Sequence, residues 1–207
     1  MTIDIILFLV AAAFLAGYVD AVAGGGGLIT IPALLLAGVD PLTALGTNKV
    51  QSLFGSASAT IAYAAKGHMN LREQAPVAVL SFAGACLGAL GARVLPTEIL
   101  QTGLPFLLIA VALFFAFKPG LSDVDAERRI SPAVFAFTLV PLIGAYDGLF
   151  GPGTGSFFML AFVSLAGYGV LKATAHTKLL NFASNLGGFA VFALAGAVIW
   201  KVGLIMQ

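Results

Sequence analysis

The sequence of 207 residues is 60% hydrophobic and only 9% charged, with a formal net charge of +1. Soluble domains carry about a quarter charged residues, so this composition excludes an ordinary soluble protein built around a buried core. The nearly neutral charge gives no reason to expect a nucleic-acid partner, and the single cysteine excludes an intrachain disulfide.

Six apolar runs approach or exceed the ~18–20 residues with which an α-helix crosses the hydrocarbon core of a bilayer. They cover residues 3–22, 43–65, 75–94, 101–117, 133–150 and 172–200. None shows the alternation of a transmembrane β-strand. The sequence therefore predicts an all-α membrane protein, a polytopic helical bundle with about six spans. No basic residue precedes the first run, so we expect it to remain as a span rather than to be cleaved as a signal peptide.

The first run leads into four consecutive glycines, Gly24, Gly25, Gly26 and Gly27. Glycine costs a helix about 1 kcal/mol per residue relative to alanine, so the backbone is expected to be unwound or sharply turned here. The apolar residues that follow, 28–37, are too few to span. They form either a half-helix or the end of a long, broken and tilted first span.

The second run is crowded with polar side chains, which indicates contact with protein or water rather than with lipid. These side chains are Asn48, Lys49, Gln51, Ser52, Ser56, Ser58 and Thr60. Two more spans lead to a hydrophilic stretch at 118–131. We interpret residues 1–117 as a first transmembrane repeat, 118–131 as a cytoplasmic connector and 132–207 as a second repeat.

Internal similarity supports this division. Asp20 lies four residues before Gly24, as Asp147 lies four residues before Gly151, and Thr-Asn-Lys at 47–49 is matched 129 residues later by His-Thr-Lys. Interrupted helices at matching positions of two halves point to the central site of a transporter. Carried to the end of the first half, the same offset predicts that roughly 40 further residues, or two spans, of the second repeat are absent from the sequence.

Loop charges predict the orientation in the membrane. With one crossing per span, the side of the N-terminus and the connector holds Lys66, Arg72, Lys118, Arg128, Arg129 and Lys201, and the other side holds Arg93 and Lys172. Basic residues concentrate in cytoplasmic loops, so the N-terminus and the connector are expected in the cytoplasm. A re-entrant glycine segment would change this count of crossings.

Both glycine clusters are candidate anion sites. Backbone amides at a helix break, together with the positive end of a helix dipole, attract negative charge. In the second half, Gly151, Gly153 and Gly155 supply such amides, and Thr154 and Ser156 add hydroxyl groups. The alternative is that the glycines only let helices approach closely.

Two lysines lie inside apolar sequence. Lys49 and Lys178 each lie about six residues, or ~9 Å, into a span. An unpaired cation at that depth costs several kcal/mol, and the carboxylates of Asp20 and Asp147 are available partners. The lysines either form purely structural ion pairs or share the negative charge of a substrate with the backbone amides.

The remaining polar residues of these spans extend the candidate site. Asn181 and Asn185 follow Lys178 on one helix face, and His176 is either a proton carrier or a structural residue. The full set of predicted substrate-binding residues is Gly24, Gly25, Gly26, Gly27, Thr47, Asn48, Lys49, Gln51, Gly151, Gly153, Thr154, Gly155, Ser156, His176, Thr177, Lys178, Asn181 and Asn185. Asp20, Asp147 and His176 are candidates for charge pairing or proton coupling. The sequence gives no motif for a catalytic group, a metal or a cofactor.

Three stretches taken together resemble a known family. They are GGGGLITIPALLLAGVDPLTALGTNKVQ, YDGLFGPGTGSFF and HTKLLNFASNLGG, in this order, and they are similar to those of the TauE/SafE family of sulfite exporters. The resemblance implies an inner-membrane transporter of two homologous halves, for sulfite, sulfoacetate or related sulfur-containing organic anions. It also implies about two more helices than this sequence holds.

Two other functions remain open at this stage. One is an anion channel that uses the same central site, and the other is an intramembrane enzyme. The expected partners are a small anion and the lipid bilayer, and a homo-oligomer also stays open.

Overall fold

The computed structural model describes residues 2–23, 25–117 and 123–206. These residues form nine helices and no strand, which confirms the prediction of an all-α protein. The helices are α1 Ile3–Ala23, α2 Gly27–Leu36, α3 Pro41–Ala65, α4 Leu71–Val94, α5 Thr97–Ala116, α6 Pro132–Leu149, α7 Thr154–Ser164, α8 Val170–Leu194 and α9 Trp200–Ile205. Gly24 and residues 118–122 of the connector lie outside the described residues.

Four helices are long and apolar enough to cross a bilayer, namely α1, α4, α5 and α6. Helices α3 and α8 are longer, with 25 residues each, but carry the polar side chains singled out in the sequence. Large apolar side chains such as Phe14, Leu87, Phe106 and Leu194 are mostly exposed on the outside of the bundle. Such a surface suits lipid, so the chain is a polytopic helical membrane protein.

The first glycine cluster turns the chain back on itself. Gly26 lies against the carbonyl of Ala16, and its amide donates a hydrogen bond to Oδ1 of Asp20 at 3.3 Å. Leu34 of α2 joins Leu9 of α1 in one buried apolar cluster. Helix α2 is therefore a half-helix that returns along α1, so the two form a re-entrant hairpin, called here hairpin 1.

The second glycine cluster does the same. Gly151 and Gly153 have φ values of 95° and 76°, a left-handed conformation that glycine adopts without steric cost. The chain then returns as α7 along α6, because the ring of Phe162 lies 4.7 Å from that of Phe135 and the ring of Phe157 lies 5.2 Å from that of Tyr146. Helices α6 and α7 form hairpin 2.

The helix boundaries repeat with the offsets seen in the sequence. Helices α2 and α7 begin 127 residues apart, at Gly27 and Thr154. Helices α3 and α8 have equal lengths and begin 129 residues apart. Helices α4 and α9 also begin 129 residues apart. The two further spans expected after residue 207 stay a prediction.

The two hairpins enter the bundle from opposite ends. The start of α3 lies beside the end of α8, since a Cβ at Gly46 would fall 2.0 Å from the Ala197 carbonyl, so α3 and α8 are antiparallel. Hairpin 1 enters where α3 begins. Hairpin 2 enters at the other end, where the amide of Ala126 donates to Gly167 and that of Arg129 to Leu165. The halves thus have inverted orientations, an arrangement common in secondary transporters.

Charged residues of the connector fix the loop before α8. The amide of Gly169 donates to Asp125 at 2.6 Å, and Nζ of Lys172 lies 3.6 Å from the same carboxylate. The hydrogen bond from Gly169, and secondarily the charge of Lys172, hold the pKa of Asp125 below its usual value. Leu171 likewise donates to Asp123. The connector is therefore anchored at this end of the bundle.

Candidate functional site

The turns of the two hairpins meet inside the bundle. A Cβ at Gly27 would lie 3.4 Å from Cα of Pro152 and 3.5 Å from Nδ2 of Asn48. Tyr146 supports the second turn, because its hydroxyl donates a hydrogen bond to the Pro152 carbonyl at 2.7 Å. The two breaks are therefore within van der Waals reach of each other.

A small polar cavity lies at this junction. Its volume is about 10 Å³, which is room for about one water molecule. The described residues that line it are Asp20, Gly27, Asn48, Ser52, Asp147, Gly151, Gly153, Thr154, Gly155, Asn181 and Asn185. Both halves contribute to it, so the structure brings together residues that the sequence separates by more than a hundred positions. The cavity is too small for an oxyanion in this closed conformation.

Lys49 holds the two halves together beside the cavity. Its Nζ lies 2.9 Å from Oδ1 and 2.6 Å from the main-chain carbonyl of Asp147, and 3.2 Å from Oδ1 of Asn185. The side chains of Lys49 and Asp147 are each 2% exposed. Gly188 makes room for the lysine, since a Cβ there would lie 3.1 Å from its Cε. The expected pairing of this lysine with an aspartate is present, and it joins opposite repeats.

Lys178 makes the matching contact from the second half. Its Nζ donates a hydrogen bond to the main-chain carbonyl of Asp20, as Lys49 does to that of Asp147. Each lysine therefore reaches the aspartate in the last turn of the first helix of the other half's hairpin. The carboxylates differ: Asp147 is buried with Lys49, whereas Asp20 is half-buried and accepts from Gly26. The contacts of the two lysines with main-chain carbonyls are therefore equivalent in the two halves, whereas the environments of the two carboxylates differ.

Amide side chains of α3 and α8 form one wall of the cavity. Asn48 accepts a hydrogen bond from the hydroxyl of Thr30, and Asn185 donates to the Asn181 carbonyl at 2.8 Å. Thr154 sits at the start of α7, where its hydroxyl donates to the Gly151 carbonyl at 2.8 Å. These bonds fix the side chains that face the hairpin turns.

Several predicted residues lie outside the cavity wall. The hydroxyl of Thr47 accepts from the Ile199 amide at 3.0 Å and so holds the loop after α8. Nδ1 of His176 lies 2.9 Å from the Lys172 carbonyl, and the ring packs edge-on against Tyr168. These are the contacts of a structural residue. The cavity is also not lined by Gly25, Gly26, Gln51, Ser156 and Thr177. Lys49 and Lys178 do not line it either, but they contact the two aspartates that do.

Ser52, one of the polar residues of the second run, lines the cavity as well. Sequence reasoning missed two contributors, Thr30 and Tyr146, which hold Asn48 and the second turn. A hydroxyl residue at Thr30, inside the otherwise apolar α2, was the available signal. Ser56, also a polar residue of the second run, donates to the Ser52 carbonyl of its own helix.

Fold and site together define a helical membrane transporter with a candidate site between two inverted hairpins. The chain belongs to the sulfite exporter TauE/SafE family, because that family's model matches residues 9–207. This confirms the resemblance seen in the sequence motifs.

The chain is also similar to curated relatives named as transporters. It is 63% identical over 206 residues to "Probable membrane transporter protein ORF9" of a Sinorhizobium species, covering 100% of this chain and 79% of the relative. It is 46% identical over 205 residues to a "Probable membrane transporter protein" of Haemophilus influenzae, covering 99% and 80%. Over 201 residues it is 46% identical to the Escherichia coli K12 protein YfcA, covering 97% and 74%. No solved structure matches the chain significantly.

Proposed function

We propose that this protein is a secondary transporter that exports small sulfur-containing anions across the cell inner membrane by alternating access of its two halves. Sulfite, sulfoacetate and other organosulfonates are the substrate class. The observation that carries the proposal is the junction of the two glycine turns, where glycines and asparagines line one cavity and two buried lysines contact the aspartates of its wall. Helix termini, backbone amides and lysines are the groups that bind oxyanions.

The size of the cavity fits a carrier in which the site is closed to both sides. About 10 Å³ of space at the junction leaves room for about one water molecule. In a carrier such a closed conformation separates two open ones. Export of a monovalent anion through it would be driven by the membrane potential, by about 2.3 kcal/mol per 100 mV.

The hairpins lead us to revise the proposed orientation. Because α1 and α2 enter and leave at the same end, the N-terminus lies at the opposite end from the connector. The connector end holds the described basic residues Lys66, Arg72, Arg128, Arg129 and Lys172, and the other end holds Arg93 and Lys201. By the charge rule, we place the connector in the cytoplasm and the N-terminus, which the sequence analysis placed beside it, on the opposite side.

The test is transport by purified protein in liposomes. Sulfite, sulfoacetate, thiosulfate, taurine and sulfate are offered one at a time, and a saturable flux of sulfite or sulfoacetate is expected. A carrier gives at most thousands of turnovers per second, well below the throughput of an open pore. Flux of none of these compounds, or flux that does not saturate, would contradict the proposal.

A further inference from the structure

The site as it stands has no free donor on Lys49. An ammonium group has three N–H donors, and three acceptors surround Nζ of Lys49: two oxygens of Asp147 and one of Asn185. An anion that binds to this lysine must therefore first displace one of them. Oδ1 of Asp147 is the one that carries negative charge and belongs to a side chain able to rotate away.

We propose that the carboxylate of Asp147 is a tethered substitute for the substrate, which neutralises Lys49 whenever the transporter is empty. This inference rests on the proposed function and goes beyond it, because it says how the empty carrier closes. The aspartate comes from α6 and the lysine from α3, so the pair joins the two halves across the cavity. The substrate would replace one carboxylate oxygen with one of its own.

The charges around the cavity support this role. Lys49, Lys178, Asp20 and Asp147 carry two positive and two negative charges, so the empty site is neutral as a whole. Without the Asp147 carboxylate, an empty carrier would hold one uncompensated buried cation and would be costly to close. With it, the empty carrier closes and returns, and net export of anions does not require a second anion on the return step.

Burial distinguishes Asp147 from its counterpart in the other half. Asp147 is 1% exposed, and its Oδ2 has no hydrogen-bond partner among the described residues. This leaves the carboxylate held on one side only, which suits a group that must leave. Asp20 is half-buried, and it meets Lys178 through its main-chain carbonyl rather than through its carboxylate. Asp4, exposed in the first turn of α1 and outside the site, provides the control substitution.

The experiment compares two fluxes of radiolabelled sulfite in liposomes: net efflux into sulfite-free buffer, and exchange against external sulfite. The ratio of exchange to net efflux is measured for wild type, Asp147→Asn, Asp147→Glu and Asp4→Asn. In Asp147→Asn the empty carrier cannot return with Lys49 unpaired, so this ratio is expected to rise at least about tenfold. Asp147→Glu restores the carboxylate, and both it and Asp4→Asn are expected to keep a ratio near that of wild type.

Two outcomes overturn the inference separately from the proposed function. A wild-type ratio in Asp147→Asn would show that the empty carrier returns without the carboxylate. An equal fall of both fluxes would show that Asp147 only holds the fold. Absence of any saturable sulfite flux in wild type would instead contradict sulfite as a substrate, and this inference would fall with it.

Discussion

The electrostatics of this site depend mainly on one buried ion pair. The ion pair of Lys49 and Asp147 is almost completely buried, and such a pair contributes little to stability as a unit but is costly to break on one side. The sequence predicted both lysines, both aspartates and their pairing. It could not predict that each lysine contacts the other half. The offset of 129 residues identifies equivalent positions but does not show which residues are in contact.

Removal of the Lys49 ammonium alone should abolish transport and leave Asp147 buried without a counter-charge. We expect Lys49→Ala to insert in the membrane but to lose about 3–5 kcal/mol of stability. Adding Asp147→Asn should recover much of that stability and none of the transport. Thermal unfolding in detergent and sulfite flux in liposomes measure the two effects. Lys201→Ala, at an exposed position, is the control and should stay within about 0.5 kcal/mol of wild type. Wild-type flux in Lys49→Ala would reduce this lysine to a structural counter-ion.

His176 shows the limit of reasoning from residue type. A histidine two positions from a buried lysine was a candidate for proton coupling, yet its ring packs with Tyr168 and Phe162 and contacts the Lys172 carbonyl. Helical periodicity places His176 and Lys178 on different faces of α8, about 200° apart at 3.6 residues per turn. That argument was available from the sequence and would have separated the two residues.

Among the elements, close contact of α4 with α6 fixes hairpin 2 in the bundle. Gly84 and Gly88 of α4 face Pro141 and Ala145 of α6, and a Cβ on either glycine would fall within about 2 Å of a carbonyl oxygen. The sequence places these glycines in an apolar run, where small residues allow such packing. It could not tell that the glycine clusters reverse the chain, because a break in a hydrophobic run is compatible with a kink as well as with a hairpin.

A single methyl group in this interface should be enough to disturb it. The Cβ of Gly148→Ala would lie 1.9 Å from the carbonyl oxygen of Ala85, so the helices must separate, at a cost of about 1–3 kcal/mol or more. Thermal unfolding in detergent measures this loss. The matched control is Gly103→Ala in α5, where a Cβ meets nothing within 4 Å and stability should be unchanged or higher by about 0.4–1 kcal/mol. Equal melting temperatures for both variants would contradict the close packing.

At the scale of the whole molecule, two similar halves are inserted in opposite directions, and their broken helices share one site. Repetition, membrane location and the positions of the breaks follow from the sequence. The inversion does not, because it depends on whether α2 returns to the side from which α1 came. Each half supplies one hairpin, which enters from its own side of the bundle. This is the geometry that alternating access requires.

The contact between the two glycine turns is tested most directly by a cross-link across it. Gly27→Cys and Pro152→Cys are combined with Cys86→Ala, which removes the single native cysteine, and a protease site is placed in the 118–131 connector. Since a Cβ at Gly27 lies 3.4 Å from Cα of Pro152, mild oxidation should form a disulfide that keeps the cleaved halves together on a denaturing gel until a reductant is added. Halves that separate after oxidation, while each single-cysteine variant and the double variant are folded, would contradict the meeting of the two broken helices at one site.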